Sequence, residues 1–355
     1  MKNLNKYIEL LKNEEIDGLL LTSKVSRAYA AEYIIDEGVA LVSEKGCRYF
    51  TDSRYIEAAQ KHLQGFEVVM TDREHPYIDL LNAALRDFGV TALGFEEAYL
   101  TYEEYDRFRQ KLNAELIPCQ KALNAFRAVK EPWELDRMRK AQEITDRAFT
   151  QVCERIHVGM TEKELCAELI YCLYKNGAEG LSFDPIVVSG PNSSMPHGVP
   201  GDRRLQAGDF ITMDFGVIYQ GYCSDMTRTV ALGYATEEMK LVYETVLKAQ
   251  LAGIAATRAG VTGQAIDGAA RKVIADAGYG DYFGHGYGHC LGLEIHEAPY
   301  CNPSNDKPMP AGAVSSAEPG IYLPGKFGVR IEDCLIIQED GVEILAHSPK
   351  NLIIL

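Results

Sequence analysis

The chain has no C-x-x-C pair, no basic stripe and no apolar run long enough to span a bilayer. Its nine cysteines (47, 119, 153, 166, 172, 223, 290, 301 and 334) are scattered and odd in number. A chain of 355 residues builds ample core without staples, so reduced thiols are expected rather than a disulfide framework. With no basic stripe and a net charge of −15, neither nucleic acid nor an anionic membrane is expected as a partner. The opening Met-Lys-Asn-Leu-Asn-Lys leads into a helical pattern broken by Glu14, Glu15 and Asp17. Neither a signal-peptide core nor a transmembrane segment is expected, and the cytoplasm is the expected compartment.

What is present is ordinary globular composition, 46% apolar and 25% charged, at a length that suggests two domains. Residues 1–124 alternate helical and strand patterns. Leu4, Tyr7, Ile8, Leu10 and Leu11 form an amphipathic stripe. Gly18 to Leu21 and Gly38 to Val42 read as buried strands, Arg48 to Asp52 ends a third, and a helix follows from about Tyr55. This is an α/β pattern. It carries no evident chemistry, and His62 and His75 stand without nearby partners.

The texture changes near residue 125. Lys130-Glu131-Pro132-Trp133-Glu134 puts proline in the first turn of a long helix, with acids at its positive end. Residues 125–355 then echo themselves. Gly159-Met160-Thr161 opens a helix that closes near Gly177, and Gly260-Val261-Thr262 opens another that closes near Gly278, both offsets being 101 residues. A long helix precedes each, from about Glu134 and Glu237. A histidine (His197, His296) and two strands bearing two acids follow each. A duplicated half folding about a pseudo-two-fold axis accounts for this order.

The acids are the chemical signal. Asp214 and Asp225 sit in apolar strands that read as a hairpin. A Tyr219-Gln220 loop would set them directly opposite, with Cβ atoms about 5 Å apart; a Gln220-Gly221 loop would make them diagonal neighbours on one face. A three-residue loop or a bulge would separate them. Glu318 and Glu332 flank a second hairpin turning at Pro324-Gly325-Lys326. There Arg330 shares a face with Glu332 and could simply pair a structural carboxylate. Like charges buried together need a cation, and two divalent ions would balance four carboxylates. Four of the eight histidines (His197, His285, His289 and His296) lie in glycine-bounded segments that suit backbone held near a ligand. His157 and His347 stand alone.

Met213-Asp214-Phe215-Gly216, Ser224 to Thr229, His285 to Glu297, Glu318 to Tyr322 and Arg330 to Asp333 closely resemble the metal-site motifs of the pita-bread metallopeptidases, the Xaa-Pro aminopeptidases and prolidases. Phe50 to Tyr55 resembles the family's creatinase-type N-terminal domain, and Arg127 to Ala141 the opening of its catalytic domain. The resemblance covers essentially the whole chain. It implies an α+β fold: a smaller α/β domain over 1–124 and a pseudo-two-fold pita-bread catalytic domain over 125–355.

It further implies that Asp214 chelates one metal, that His289 and Glu318 hold a second, and that Asp225 and Glu332 bridge them. A hydroxide between the ions would attack the scissile carbonyl, and Glu318 would carry its proton to the leaving nitrogen. His296 would stabilise the oxyanion, and His197 and His285 would line the substrate pocket. Tyr322 and Arg330 would support the site and its substrate, with Asp333 behind. Four oxygen ligands to one nitrogen favour Mn²⁺ or Co²⁺, with Zn²⁺ also possible. A homodimer is implied. So is hydrolysis of the Xaa-Pro bond at the N-terminus of peptides, as in aminopeptidase P; prolidase, cleaving dipeptides, is the alternative.

Two departures stand out. Small residues from Gly312 to Ala317 precede Glu318 and are expected to loosen its support; Cys290 beside His289 reads first as a small apolar filler, and secondarily as a thiol that could make the site sensitive to oxidation. Two other classes compete. A non-catalytic binding protein on this fold would have lost ligands, and a carboxylate-pair glycosidase explains neither the histidines nor the duplication.

Overall fold

The computed structural model describes residues 2–355, which divide into two compact units, one ending at Phe126 and the other running from Arg127 to Leu355. The first holds a six-stranded sheet in the order Glu67–Met70, Gly46–Thr51, Val39–Ser43, Gly18–Leu21, Ala92–Phe95, Glu115–Pro118. Its middle strands are antiparallel and its outer pairs parallel. Gly18–Leu21 is buried along its whole length, as the unbroken apolar run requires. Lys2–Asn13 is the amphipathic helix, with Leu4, Tyr7, Leu10 and Leu11 buried. His62 and His75 are exposed but not alone: His62 stacks on Tyr33 with ring centroids 4.4 Å apart, and His75 Nδ1 lies 3.0 Å from Asp72 Oδ1.

The second unit repeats itself in detail. Pro132–Cys153 and Glu162–Lys175 pack as one helix pair, and Glu237–Ala256 and Gly263–Asp276 as the other. Thr161 and Thr262 each cap the shorter helix by accepting the N–H three residues on. The Gly159 N–H donates to Leu205 O at 2.8 Å and the Gly260 N–H to Met309 O at 2.9 Å. The returning bonds, Leu205 N–H to Met160 O and Met309 N–H to Val261 O, match at 2.8 and 2.9 Å. One offset relates Leu205 to Met309, Phe210 to Val314 and Asp214 to Glu318. Each half has its own apolar core, one around Ile144, Leu169 and Met213, the other around Val246, Ile274 and Leu335. The acid-bearing strands therefore meet between two separately buttressed halves. Among the described residues, no helix is long and apolar enough to cross a membrane.

Candidate metal centre

The first hairpin turns at Gln220-Gly221: Tyr219 pairs with Tyr222, and the turn residues have φ of +47° and +85°, as a type I′ turn requires. This is the second of the two expected registers. Asp214 pairs with Thr227, so Asp225, two residues before Thr227, is its diagonal neighbour. The ladder breaks between the two acids. A Cβ on Gly216 would lie 1.9 Å from Ser224 O, so only glycine lets the strands close there.

The second hairpin turns at Pro324-Gly325-Lys326, with Leu323 opposite Phe327. Beyond its base the ladder resumes at Ala317 and Asp333, which places Glu318 across from Glu332. Their backbones are tied outward: the Glu318 N–H donates to Tyr287 O at 2.8 Å and the Glu332 N–H to Thr227 O at 3.1 Å. The latter bond stitches the second hairpin to the first.

His289 lies on Gly288–Cys290 and is buried. Its Nδ1 donates to Cys290 O at 3.1 Å, which leaves the Nε2 lone pair facing Glu318 Oε1 at 3.3 Å and Asp225 Oδ2 at 3.6 Å. Burial holds this imidazole below its usual pKa, so it is neutral. A lone pair aimed at carboxylate oxygens is repulsive unless a cation sits between them. The acids give the same signal. Burial, then repulsion from Asp214 and Glu318, pushes Asp225 well above the carboxylate range. Burial and then Asp225 do the same to Glu332. Burial lifts Glu318 to about 7, with Arg330 opposing and Asp214 adding. Asp214 Oδ1, Asp225 Oδ1 and Glu332 Oε1 are buried without a hydrogen-bond donor, and Asp225, His289 and Glu332 offer donor atoms within 4.8 Å of one another. These orphaned oxygens and the bare imidazole nitrogen fit divalent cations.

The remaining oxygens are held by protein. Arg330, buried, donates Nη2–H to Asp214 Oδ2 at 2.6 Å, Nη1–H to the Tyr322 hydroxyl at 2.8 Å and Nε–H to Thr227 Oγ1 at 3.1 Å. Thr227 donates in turn to Glu332 Oε2 at 2.6 Å. Because Arg330 donates to Tyr322, the tyrosine hydroxyl donates to His285 Nε2, 2.9 Å away, and His285 Nδ1–H goes to Gly286 O. Burial, then Arg330, lowers His285 to about 4, consistent with that neutral tautomer. The carboxylate Arg330 pairs is thus Asp214 across the site, not Glu332 beside it. Asp333 turns the other way, binding Arg228 at 2.8 Å, Lys350 at 2.7 Å and Gln250 at 2.9 Å. Arg228 then donates to Glu332 O, so Asp333 holds the strand of Glu332 from behind.

Two expectations need correction. The small residues before Glu318 do not loosen it: Ser316 Oγ accepts the His289 N–H at 3.0 Å and donates to Glu318 Oε1 at 3.1 Å, coupling both side chains. Cys290 is the apolar filler of the first reading, not the oxidation-sensitive thiol of the second. It is fully buried, and burial raises its thiol far above the ordinary range, which suppresses the reactive thiolate. Thr227 and Ser316 lie in segments that the sequence marks, but it gives neither of them a role. Thr227 lies two residues beyond Asp225, and that period was the available signal.

The carboxylates, His289 and Arg330 open onto a cavity of about 570 Å³, with walls that include Phe183, Ile186, Ile295 and Tyr300. His197 and His296 are exposed at its rim. The His296 ring centroid lies 4.4 Å from that of His289. Burial, then His289 and His197, lowers the His296 pKa.

Known proteins match along the same lines. The model of metallopeptidase family M24 matches residues 136–339, and that of the creatinase/prolidase N-terminal domain matches residues 3–129. A Xaa-Pro dipeptidase of Pyrococcus furiosus is 39% identical over 99% of both chains. The solved Xaa-Pro dipeptidase from Bacillus anthracis superimposes with a TM-score of 0.96 at 41% identity, covering 100% of this chain and 99% of that one. The X-Pro aminopeptidase from Thermotoga maritima gives 0.94 at 37% over 99% of each. The duplicated second unit is accordingly a pita-bread fold, its buried acids suit divalent metal ions, and the chain belongs to metallopeptidase family M24.

Proposed function

We propose that this protein is a Xaa-Pro dipeptidase, a metal-dependent hydrolase of dipeptides with proline in the second position. The observation that carries the reading is four carboxylates and one neutral imidazole converging on a single cavity of about 570 Å³. The sequence alone leaned towards longer peptides, because no insertion walls off the pocket. The activities of the full-length dipeptidase relatives support the dipeptide alternative instead. The Thermotoga aminopeptidase favours the longer-peptide reading as the second.

Asp214, Asp225, His289, Glu318 and Glu332 would hold two ions. When bound, such ions acidify water and polarise a carbonyl. Mn²⁺ or Co²⁺ suits the oxygen-rich donor set better than Zn²⁺. A prolyl amide nitrogen carries no hydrogen, so it leaves only if a proton is delivered to it. Glu318, with Oε1 steadied by Ser316, takes the proton of the attacking water and passes it to that nitrogen. His296 and His197, at the rim, donate N–H to the carbonyl oxygen as its charge grows, an effect worth about 2.7–4 kcal/mol where such donors have been removed. Arg330, Tyr322, His285 and Thr227 orient the acids. The apolar walls receive the proline ring.

The test is hydrolysis of Xaa-Pro, Xaa-Pro-Yaa and a non-prolyl dipeptide after dialysis and reloading with Mn²⁺, Co²⁺ or Zn²⁺. Dipeptide hydrolysis with about two ions per chain, as a dinuclear site requires, supports the reading. Cleavage of the tripeptide alone favours the aminopeptidase, and cleavage of neither ends both.

A further inference from the structure

His285 and His289 each have hydrogen-bond or ion partners at both ring nitrogens. His197 and His296 have no hydrogen-bond partner among the described residues, so their backbone segments, with the ring contact of His296 on His289, place them. Each segment is closed by a buried carboxylate that is no part of the metal cluster. Glu297, 3% exposed, accepts the N–H groups of Leu293 at 3.1 Å and Glu294 at 3.3 Å on Oε1, and the Lys130 ammonium at 3.0 Å on Oε2. Arg127 Nη2, which also donates to Glu294, lies 3.2 Å from Oε1. Gly292 packs so closely that a Cβ there would lie 2.9 Å from Glu297 Oε2. The carboxylate thus gathers residues 292–297 into a fixed curl ending beside His296.

Glu162, 0% exposed, does the same for the other rim segment. Its Oε1 accepts the Ser189 N–H at 2.7 Å, the Ser189 hydroxyl at 2.8 Å and Asn192 Nδ2 at 3.1 Å, while Oε2 accepts the Gly201 N–H at 2.9 Å. One side chain ties both ends of the stretch that carries His197. Such buried, many-bonded carboxylates fix backbone geometry more firmly than packing alone.

We propose that Glu162 and Glu297 are positioning residues that hold the unpartnered imidazoles of His197 and His296 at the scissile carbonyl. This rests on the peptidase reading above. A misplacement of about 1 Å at a reacting group costs on the order of 100-fold in rate.

In the metal-loaded enzyme, Glu297→Gln and Glu162→Gln keep side-chain size but lose an acceptor oxygen. Each is expected to lower kcat about 100-fold while KM stays within about threefold and ion content is unchanged. Gly292→Ala, which crowds Glu297 without removing its charge, should lower kcat in the same direction and serves if Glu297→Gln does not fold; Gly201→Ala, whose Cβ would meet Glu162 Oε2 at 3.4 Å, serves likewise for Glu162→Gln. In Zn²⁺-loaded protein the imidazole NMR signals of His296 should shift in Glu297→Gln, and those of His197 in Glu162→Gln. Near-parental kcat with unmoved signals overturns the proposal, as does a loss of rate that only tracks lost metal or lowered Tm. If the parent cleaves no Xaa-Pro peptide, the peptidase reading fails instead, and the NMR signals still decide whether the carboxylates set the imidazoles.

Discussion

At the scale of the residue, the site is a division of oxygen atoms. Asp214 and Glu332 each give one oxygen to a protein donor and keep one bare. Asp225→Asn removes charge at the point where His289 and the other acids converge; activity should fall below about 1% and ion content towards one per chain. Thr227→Val keeps shape but deletes the donor to Glu332 and the acceptor for Arg330. Metal affinity should weaken by about 10–100-fold, read by calorimetry with Mn²⁺. By contrast, His296→Ala should cut kcat about 100-fold with ion content intact; a matched loss of metal would make it a ligand. The types of these residues were legible in the sequence, but their partners were not. Arg330 was expected beside Glu332 by period two, yet it reaches Asp214 because the two hairpins face each other, a relation no local spacing encodes.

At the scale of the element, the hairpins show what sequence settles and what it leaves open. Alternation placed both acids of each hairpin on one face, and the Pro324 turn was readable. The choice between two registers at Tyr219 to Gly221 was not, because either pair of turn residues satisfies the apolar pattern. The structure resolves it at the turn, where Gln220 and Gly221 both take positive φ and Tyr219 pairs with Tyr222. Gly216→Ala forces a Cβ into the Ser224 carbonyl, and both Tm and metal retention should fall. Gly268, in the Gly263–Asp276 helix, is the contrasting case, because a Cβ added there would meet nothing within 4 Å. Gly268→Ala should stabilise by about 0.4–1 kcal/mol and leave ion content unchanged. If thermal melts rank the two variants equally, close approach at Gly216 is not the constraint.

At the scale of the whole molecule, the duplicated order of elements was visible because capping threonines and closing glycines recur at one offset. The substrate-length preference was hidden because the cavity walls come from distant positions such as Phe183, Ile295 and Tyr300. Metal and stability are linked through the acids. Glu318 rises from 4.5 to about 7 in the fold, mainly through burial, and Asp225 and Glu332 also rise. A raised acid binds its proton more tightly when folded, so its contribution is full below the unfolded pKa and is lost as pH climbs through the folded one. Metal-free protein should therefore lose Tm between about pH 4.5 and 7, and beyond for the more perturbed pair. Loaded protein should not, so the drop in Tm on chelation should widen with pH. An equal drop at pH 5 and pH 8 would contradict this.

The bond from Glu332 N–H to Thr227 O joins halves that leave the ribosome about a hundred residues apart. Asp214 and Asp225 are synthesised well before the glutamates that complete their cage. Until those glutamates emerge, the two aspartates lack half of the acids that surround them in the finished fold. The full set of four acids is therefore available to ions only once Glu332 has been made, and a chain released before it is expected to retain fewer ions.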